Sequence, residues 1–94
     1  MSVARVATWD EPPELRDDDE RRARSLYDLL ESLPGFIAAY YLREATTGKL
    51  MSMTLWESED ALEAAEVAVG ERPVSDQRGI RPSRVERWIV EASF

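Results

Sequence analysis

The residues best suited to chemistry in this sequence are aromatic, because two of the commonest catalytic side chains are missing. The chain contains no histidine and no cysteine. It therefore lacks the commonest metal ligand, the usual general base at neutral pH and any thiolate nucleophile. Aromatic rings can line a flat cavity for an aromatic ligand, or they can fill a core and a subunit interface. The aromatic side chains in the predicted strands are Trp9, Tyr40, Tyr41, Trp56 and Trp88.

Two further side chains are candidates for the same cavity. Arg5 lies in the middle of a predicted strand between apolar neighbours. It either binds an anionic or phenolate ligand or, the interpretation we favour, pairs with Glu86 or Glu91 of the last strand. Tyr27 lies on a predicted helix, where it either lines the cavity or packs in the core. The acidic run 17–20 is interpreted as a solvated helix start, because its side chains do not converge on one point, and we expect no metal site.

Hydrophobic periodicity predicts six elements that would position these side chains. One helix begins at Asp17 and is ended by Pro34-Gly35; a second follows the N-cap residue Ser58 and stops at Gly70. Gly48 suits the turn of a hairpin between the second and third strands. The predicted strands are Ser2 to Trp9, Phe36 to Glu44, Lys49 to Glu57 and Arg84 to Ala92.

The order of these elements, β-α-β-β-α-β, predicts the fold class. In a chain of 94 residues we expect one domain over residues 1–94, an α+β ferredoxin-like subunit. Its four-stranded antiparallel sheet would carry two helices on one face. The segment Glu71 to Ser83 is a predicted loop, and loops of that length are often functional or mobile.

The second and third strands, taken as the central pair, are apolar on both faces. A sheet with one face in water should alternate apolar and polar residues, and these strands do not. The simplest cover for the second face is another copy of the chain, so we predict a homodimer that packs sheet against sheet. A register error of one residue would exchange the pocket and interface sets. The candidate interface residues are Ile37, Tyr41, Met51, Met53, Leu55 and Trp88; the candidate pocket residues are Arg5, Trp9, Tyr27, Tyr40 and Trp56.

The charge balance limits the partners. Nineteen acidic against 12 basic residues give a net charge of −7, which disfavours nucleic acid and anionic membranes. The apolar runs are shorter than the roughly 18 residues that a membrane helix needs. We therefore expect a cytoplasmic protein with neither nucleic acid nor membrane as a partner.

Two short motifs resemble a known family. The run Leu33-Pro34-Gly35-Phe36 precedes the second strand, and residues 55–62, LWESEDAL, join the third strand to the second helix. Together they resemble the antibiotic biosynthesis monooxygenase-like proteins of the dimeric α+β barrel superfamily. The resemblance implies a twofold dimer whose sheets form a barrel, with a pocket between helices and sheet in each subunit. It also implies that Trp56 lines this pocket.

The resemblance leaves two classes of function open. The first is a cofactor-independent monooxygenase acting on an electron-rich aromatic phenol, which supplies the electron to O₂ itself. The second is a non-catalytic homodimeric barrel that binds a small ligand or serves as a stress-related accessory protein. Haem is not expected, because the haem-degrading branch uses a histidine and an asparagine, and this chain has neither. No cofactor is expected in either case.

Overall fold

The computed structural model describes residues 1–10, 17–72 and 82–94, and for residues 17–23 it describes the backbone alone. Over these residues the order of elements confirms the predicted β-α-β-β-α-β sequence. The predicted loop 71–83 lies mostly outside the described residues. The elements are β1 (Val3–Trp9), α1 (Asp17–Ser32), β2 (Phe36–Arg43), β3 (Leu50–Trp56), α2 (Glu59–Gly70) and β4 (Arg84–Ile89).

The described strands form one antiparallel sheet in the order β2-β3-β1-β4. The centre of the sheet is thus β1 and β3, and the assignment of β2 as a central strand is corrected. β1 lies between two neighbours because it pairs with β3 on one side and with β4 on the other. β2 pairs with β3 alone, so it forms one edge, and its apolar residues face both sides of that edge.

Local sequence signals act as expected at the element boundaries. The Ser58 side chain accepts a hydrogen bond from the backbone N–H of Ala61 at 3.1 Å, which caps α2. Gly48 has a φ of 76° in the β2–β3 turn, and Gly35 has a φ of 82° where the chain leaves α1. Both angles lie in the left-handed region that glycine adopts without steric cost.

Both helices cover the same face of the sheet. Leu30 of α1 and Leu62 of α2 pack with Val3 and Trp56 in one buried cluster. On the helix face of the sheet lie the side chains of Val3, Arg5, Ala7 and Trp9 of β1. The residues that pair with them in β3 and β4 lie on the same face. The opposite face, called here the open face, carries no helix among the described residues. This arrangement confirms the predicted α+β ferredoxin-like subunit with two helices on one side.

Candidate functional site

Trp56 occupies the centre of the core. Its side chain is 1% exposed, and its indole Nε1–H donates to the Thr54 hydroxyl at 3.0 Å. Phe36 packs edge-on against the indole at a centroid distance of 5.6 Å, and Leu62 belongs to the same cluster. The space beside Trp56 is therefore filled by side chains. The indole presents no surface to a ligand, although the resemblance implies that it lines a pocket.

Tyr40 and Tyr41 lie on the faces opposite to those expected. A register shift between Phe36 and Ala38 leaves Ile37 as the extra residue of a β-bulge. Before the bulge Phe36 faces the helices beside Trp56, and beyond it the parity of the strand is reversed. Tyr40 consequently pairs with Met53 on the open face, and Tyr41 pairs with Ser52 on the helix face. The bulge corrects the placement of Tyr40 on the face of Trp56 and of Tyr41 on the interface face, although Tyr40 still borders the depression at the β2 edge.

Tyr27, Tyr41 and Ser52 form a polar and aromatic cluster on the helix face. The Tyr27 and Ser52 hydroxyls are 2.9 Å apart and share a hydrogen bond. The Tyr27 and Tyr41 rings meet edge to face, with centroids 6.4 Å apart. Burial raises the pKa of Tyr27 above its usual 10.0, and the hydrogen bond with Ser52 offsets part of that rise. Tyr27 is thus a protonated hydrogen-bond donor at neutral pH.

An open depression of about 430 Å³ reaches this cluster from the β2 edge. Its walls come from α1 and from both sides of β2, because successive side chains of a strand point to opposite faces. Its volume lies within the range of about 300–1,000 Å³ that small-molecule sites occupy. The depression is lined by Tyr27 and Glu31 of α1 and by Phe36 to Tyr41 of β2.

Ser52 is the site residue that sequence reasoning missed. A signal for it existed, because Leu50, Ser52, Thr54 and Trp56 share one parity of β3. Two small hydroxyl residues between large buried ones indicate room and hydrogen-bonding capacity on that face. The strand pattern by itself could not pair Ser52 with Tyr27, which lies 25 residues earlier.

Trp9 lies on the helix face, opposite Leu50 of β3. Its side chain is partly buried, and it stands two residues beyond Ala7, the partner of Ser52 in the sheet. The structure therefore puts Trp9 on the same face as Tyr27 and Trp56, as the pocket prediction requires. Its contribution to a pocket stays a prediction, because residues 11–16 lie outside the described part of the chain.

Arg5 takes its ionic partner from a helix. Its Nε lies 3.8 Å from a carboxylate oxygen of Glu66 in α2. Arg87, which stands opposite Arg5 in β4, donates to both Glu66 oxygens at 2.9 Å and lies 3.6 Å from Glu63. The expected pairing with Glu86 is corrected, because Glu86 stands opposite Val6 on the other face. Glu91, the other predicted partner, lies beyond the end of β4 at Ile89.

Arg5 and Arg87 are thus balanced by Glu63 and Glu66, which are three residues apart on one side of α2. Arg5 was expected to pair with a carboxylate within the sheet, since cross-strand pairs are the nearest source of one. The actual pair joins helix to sheet, and it fixes α2 over β1 and β4. This balance of charges supports a structural role for Arg5.

The open face is apolar and largely uncovered. Tyr40, Leu42 and Trp88 are 52%, 45% and 57% exposed. Met51, Met53 and Leu55 of β3 lie between them, as the interface prediction requires, and Trp88 stands opposite Ala4 on the same face. Ile37 lies at the bulge on the β2 edge and is 47% exposed. The dimer itself stays a prediction.

Neither helix in the described ranges has the length and apolar composition that a membrane crossing requires. In the same ranges no cluster of three or more aspartate or glutamate side chains is arranged to hold a metal ion.

Comparison with known proteins identifies the family. The family model described as antibiotic biosynthesis monooxygenase matches residues 2–67. The chain belongs to this family. The match covers the two motifs and all the elements from β1 into α2, and it confirms the resemblance found in the sequence. No curated protein sequence matches this chain.

Solved structures of this family's fold superpose over nearly the whole chain. SnoaB, a cofactor-independent oxygenase from Streptomyces nogalater, is 16% identical, with a TM-score of 0.78 over 98% of this chain and 95% of its own. A haem-degrading protein of Mycobacterium tuberculosis is 19% identical, with a TM-score of 0.72 over 100% and 99%. A conserved protein of Methanosarcina mazei is 15% identical, with a TM-score of 0.72 over 94% and 91%. At these identities the likeness establishes the fold.

Proposed function

We propose that this protein is a cofactor-independent monooxygenase that oxidises an electron-rich aromatic phenol at the Tyr27–Ser52 pair. The observation that carries the proposal is this hydroxyl pair at 2.9 Å, placed beside an open depression of about 430 Å³. Family membership supports the reaction class, and SnoaB is a cofactor-independent oxygenase of the same fold. The aromatic walls of the depression, Tyr27, Phe36 and Tyr41, suit a flat ring system.

The proposed chemistry relies on the substrate for its electrons. A phenol activates a neighbouring ring methylene, and the phenolate gives an electron to O₂; the resulting radicals combine to a peroxide. Loss of water then leaves a carbonyl, so that CH₂ and O₂ become C=O and H₂O. The protein has to orient the ring, exclude water and stabilise the phenolate oxygen, and hydrogen-bond donors placed at a developing charge are effective for this purpose.

Tyr27 is suited to donate to such an oxygen. Its raised pKa keeps the hydroxyl protonated at neutral pH, so it acts as a donor and not as the base. Ser52 holds the Tyr27 oxygen in place. Because the chain has no histidine, the phenol itself must lose its proton readily. This requirement favours phenols whose anion is delocalised over several rings.

The decisive experiment measures oxygen uptake with 1,8-dihydroxyanthrone, corrected for oxidation without protein, and identifies the product. We expect Tyr27→Phe and Ser52→Ala to lower kcat/KM by roughly tenfold or more, as loss of one positioned hydrogen bond does. The matched control is Ser25→Ala, since Ser25 is exposed on α1 and should retain the full rate. Uptake by the wild-type protein at the background rate would refute the oxygenase proposal.

The filled space around Trp56 favours a second candidate, a non-catalytic barrel that binds a small aromatic ligand. Burial of Trp56 at 1% exposure removes the ring that the family resemblance places in the pocket. In this case 1,8-dihydroxyanthraquinone, which has no methylene to oxidise, should bind with an affinity that depends on Tyr27. 1,8-Dihydroxyanthrone should then bind without oxygen uptake above background, and this result separates the two candidates.

In either case we propose that the working unit is a homodimer closed over the open face. The exposed side chains of Tyr40, Leu42 and Trp88 support this assembly, because monomeric proteins rarely leave several large apolar side chains on one face in water. A haem-degrading activity is not proposed, because the chain has no histidine to hold the iron.

A further inference from the structure

The open face consists of three straight rows of side chains that cross the four described strands. The strand register defines them, because residues paired across an antiparallel sheet share a face. In the order β4, β1, β3, β2 the first row is Trp88, Ala4, Leu55, Ala38. The second is Glu86, Val6, Met53, Tyr40, and the third is Arg84, Thr8, Met51, Leu42.

A twofold dimer can align two such faces in two ways. An axis parallel to the strands places β4 of one copy over β2 of the other. Each row then lies over the same row of the partner subunit, with its residues in the opposite order. An axis perpendicular to the strands places β4 over β4 of the partner subunit and exchanges the first and third rows. Both arrangements satisfy the symmetry of a closed dimer, so the side chains must decide between them.

The charges in the second row favour the arrangement with β4 over β2. With β4 over β4, the two Glu86 carboxylates would face each other in an apolar interface. Each is paired with Arg84 of its own chain at 3.3 Å, but removing two facing carboxylates from water together is still costly. By symmetry that arrangement would also place Trp88 over Arg84 twice, but two cation–π contacts between side chains this exposed are a smaller effect. With β4 over β2, Glu86 instead faces Tyr40, whose hydroxyl can donate to the carboxylate.

The sizes of the side chains in the first row favour the same arrangement. With β4 over β2, the Trp88 indole, 57% exposed in one chain, faces Ala38, the smallest side chain of β2 on this face. In the third row the aliphatic part of Arg84 lies over Leu42, while its guanidinium remains 3.3 Å from Glu86. A large side chain over a small one allows the sheets to approach closely.

Ala38 is also a wall of the depression that leads to Tyr27. We propose that each substrate site is completed by Trp88 of the partner subunit, which packs over Ala38 and encloses the depression at the β2 edge. The inference rests on the proposed dimer and on the proposed site at Tyr27. It adds an arrangement of the subunits and a shared site, neither of which follows from dimerisation alone.

Crosslinking tests the arrangement without any ligand. Because the chain has no cysteine of its own, only the introduced cysteines can react. Packed sheets are about 10 Å apart, so a bis-maleimide of that span can join residues that face each other. The double variant Leu42→Cys with Arg84→Cys should give a covalent dimer, whereas either single variant should not. Glu86→Cys should remain uncrosslinked, because in the proposed arrangement it faces Tyr40.

A covalent dimer of Glu86→Cys would overturn the arrangement and leave the proposed activity intact. The same conclusion would follow if the double variant sedimented as a dimer but gave no crosslinked product. A monomer at micromolar concentration would overturn both the arrangement and the proposed assembly. The double variant leaves Trp88 in place, so loss of the indole does not confound the result.

Binding of 1,8-dihydroxyanthraquinone tests the shared site. Trp88→Ala should weaken binding by roughly tenfold, while Ile89→Ala should change it by less than about twofold. Ile89 is a matched control, because it is adjacent to Trp88, equally exposed at 57%, and stands opposite Val3 on the helix face.

Mixed dimers show whether Trp88 contributes to the site of the partner subunit or to the site of its own chain. Trp88→Ala and Tyr27→Phe homodimers should both bind weakly. A heterodimer of the two contains one site with both Tyr27 and the partner's Trp88, so about half of the sites should recover wild-type affinity. If Trp88 acted within its own chain, no site would recover, and the inference would be wrong. Failure of the wild-type protein to bind the probe would overturn the shared site together with the proposed function, independently of the crosslinks.

Discussion

At the scale of single residues, the side chain most prominent in the sequence has a packing role. Trp56 is 1% exposed, and its one polar atom is satisfied by Thr54. A buried tryptophan of this kind contributes through the apolar area it removes from water and through the close packing of its neighbours. The proposed chemistry of the helix face instead involves Tyr27 and Ser52, whose hydroxyls meet 2.9 Å apart.

We predict that Trp56→Ala destabilises the fold by about 3–5 kcal/mol, the range for removing a large aromatic side chain from a core. The free energy of unfolding from urea titrations measures this change. Val67→Ala serves as the control, because Val67 is 60% exposed and its substitution should change stability by no more than about 0.5 kcal/mol. A small effect at Trp56 would contradict its place in the core.

At the scale of elements, the β-bulge at Ile37 determines which tyrosine meets which face. Phe36 is held on the helix face by Trp56 at 5.6 Å. The bulge beyond it brings Tyr41 beside Tyr27. The segment just before the bulge is tight as well, because a Cβ added to Gly35 would lie 2.5 Å from the Cβ of Ala61. The two motifs that carry the family resemblance are thus in direct contact.

We predict that Gly35→Ala destabilises the protein by about 1–3 kcal/mol, from its φ of +82° and its clash with Ala61. Adding Ala61→Gly should relieve the clash, so the double variant should be less destabilised than the two single variants together. The control is Gly70→Ala, which has nothing within 4 Å of its added Cβ and should be neutral or stabilising. Strict additivity at Gly35 and Ala61 would contradict the contact.

The β2–β3 turn contains a carboxylate with a strongly lowered pKa. The Glu44 Oε2 atom accepts hydrogen bonds from the Thr47 hydroxyl at 2.6 Å, from the Thr47 N–H, and from the Thr46 N–H at 3.0 Å. The Thr47 hydroxyl and these two N–H groups lower the pKa of Glu44 from 4.5 to about 2. A carboxylate held in this way favours the turn as long as it is ionised.

We predict that the contribution of Glu44 to stability is fully present above pH 4.5 and is lost as the pH falls towards 2. The sign follows because the folded state binds the proton less well than the unfolded state does. The difference in unfolding free energy between the wild type and Glu44→Gln should therefore shrink on acidification. The pKa of Glu44 can be read from the NMR titration of its carboxyl carbon, and a value near 4.5 would refute the turn network.

At the scale of the whole molecule, one face of the sheet is covered by the helices and the other is left apolar. The net charge of −7 opposes association, so the proposed dimer must be stabilised by apolar burial and by specific contacts. A stable interface needs roughly 800 Å² per partner, which a four-stranded face can supply.

We predict that the protein sediments at micromolar concentration as a species of about twice 10.7 kDa. Tyr40→Glu should yield a monomer, because it places a carboxylate against Glu86 of the partner subunit in an apolar interface. Val67→Glu introduces the same charge at an equally accessible site on α2, since Val67 is 60% and Tyr40 52% exposed, and should remain dimeric. A wild-type monomer would contradict the prediction directly.

The sequence by itself determined the elements and their order. Helix periodicity, the Ser58 cap, Gly35 and Gly48 are local signals, and each acts within a few residues of its own position. The apolar character of both sides of the strands was equally readable, and so was the absence of histidine and cysteine. These features were sufficient to predict the fold class and the family, and to indicate that a partner covers the second face of the sheet.

Only the tertiary structure decided the faces and the partners of the site residues. The parity of β2 depends on one inserted residue at Ile37, and its position is set by the packing of Phe36 on Trp56. Arg5 finds Glu66 on a helix 61 positions away, and Ser52 finds Tyr27 on α1, 25 positions earlier in the chain. Such contacts join segments remote in sequence, and strand alternation, a local rule, carries no information about them.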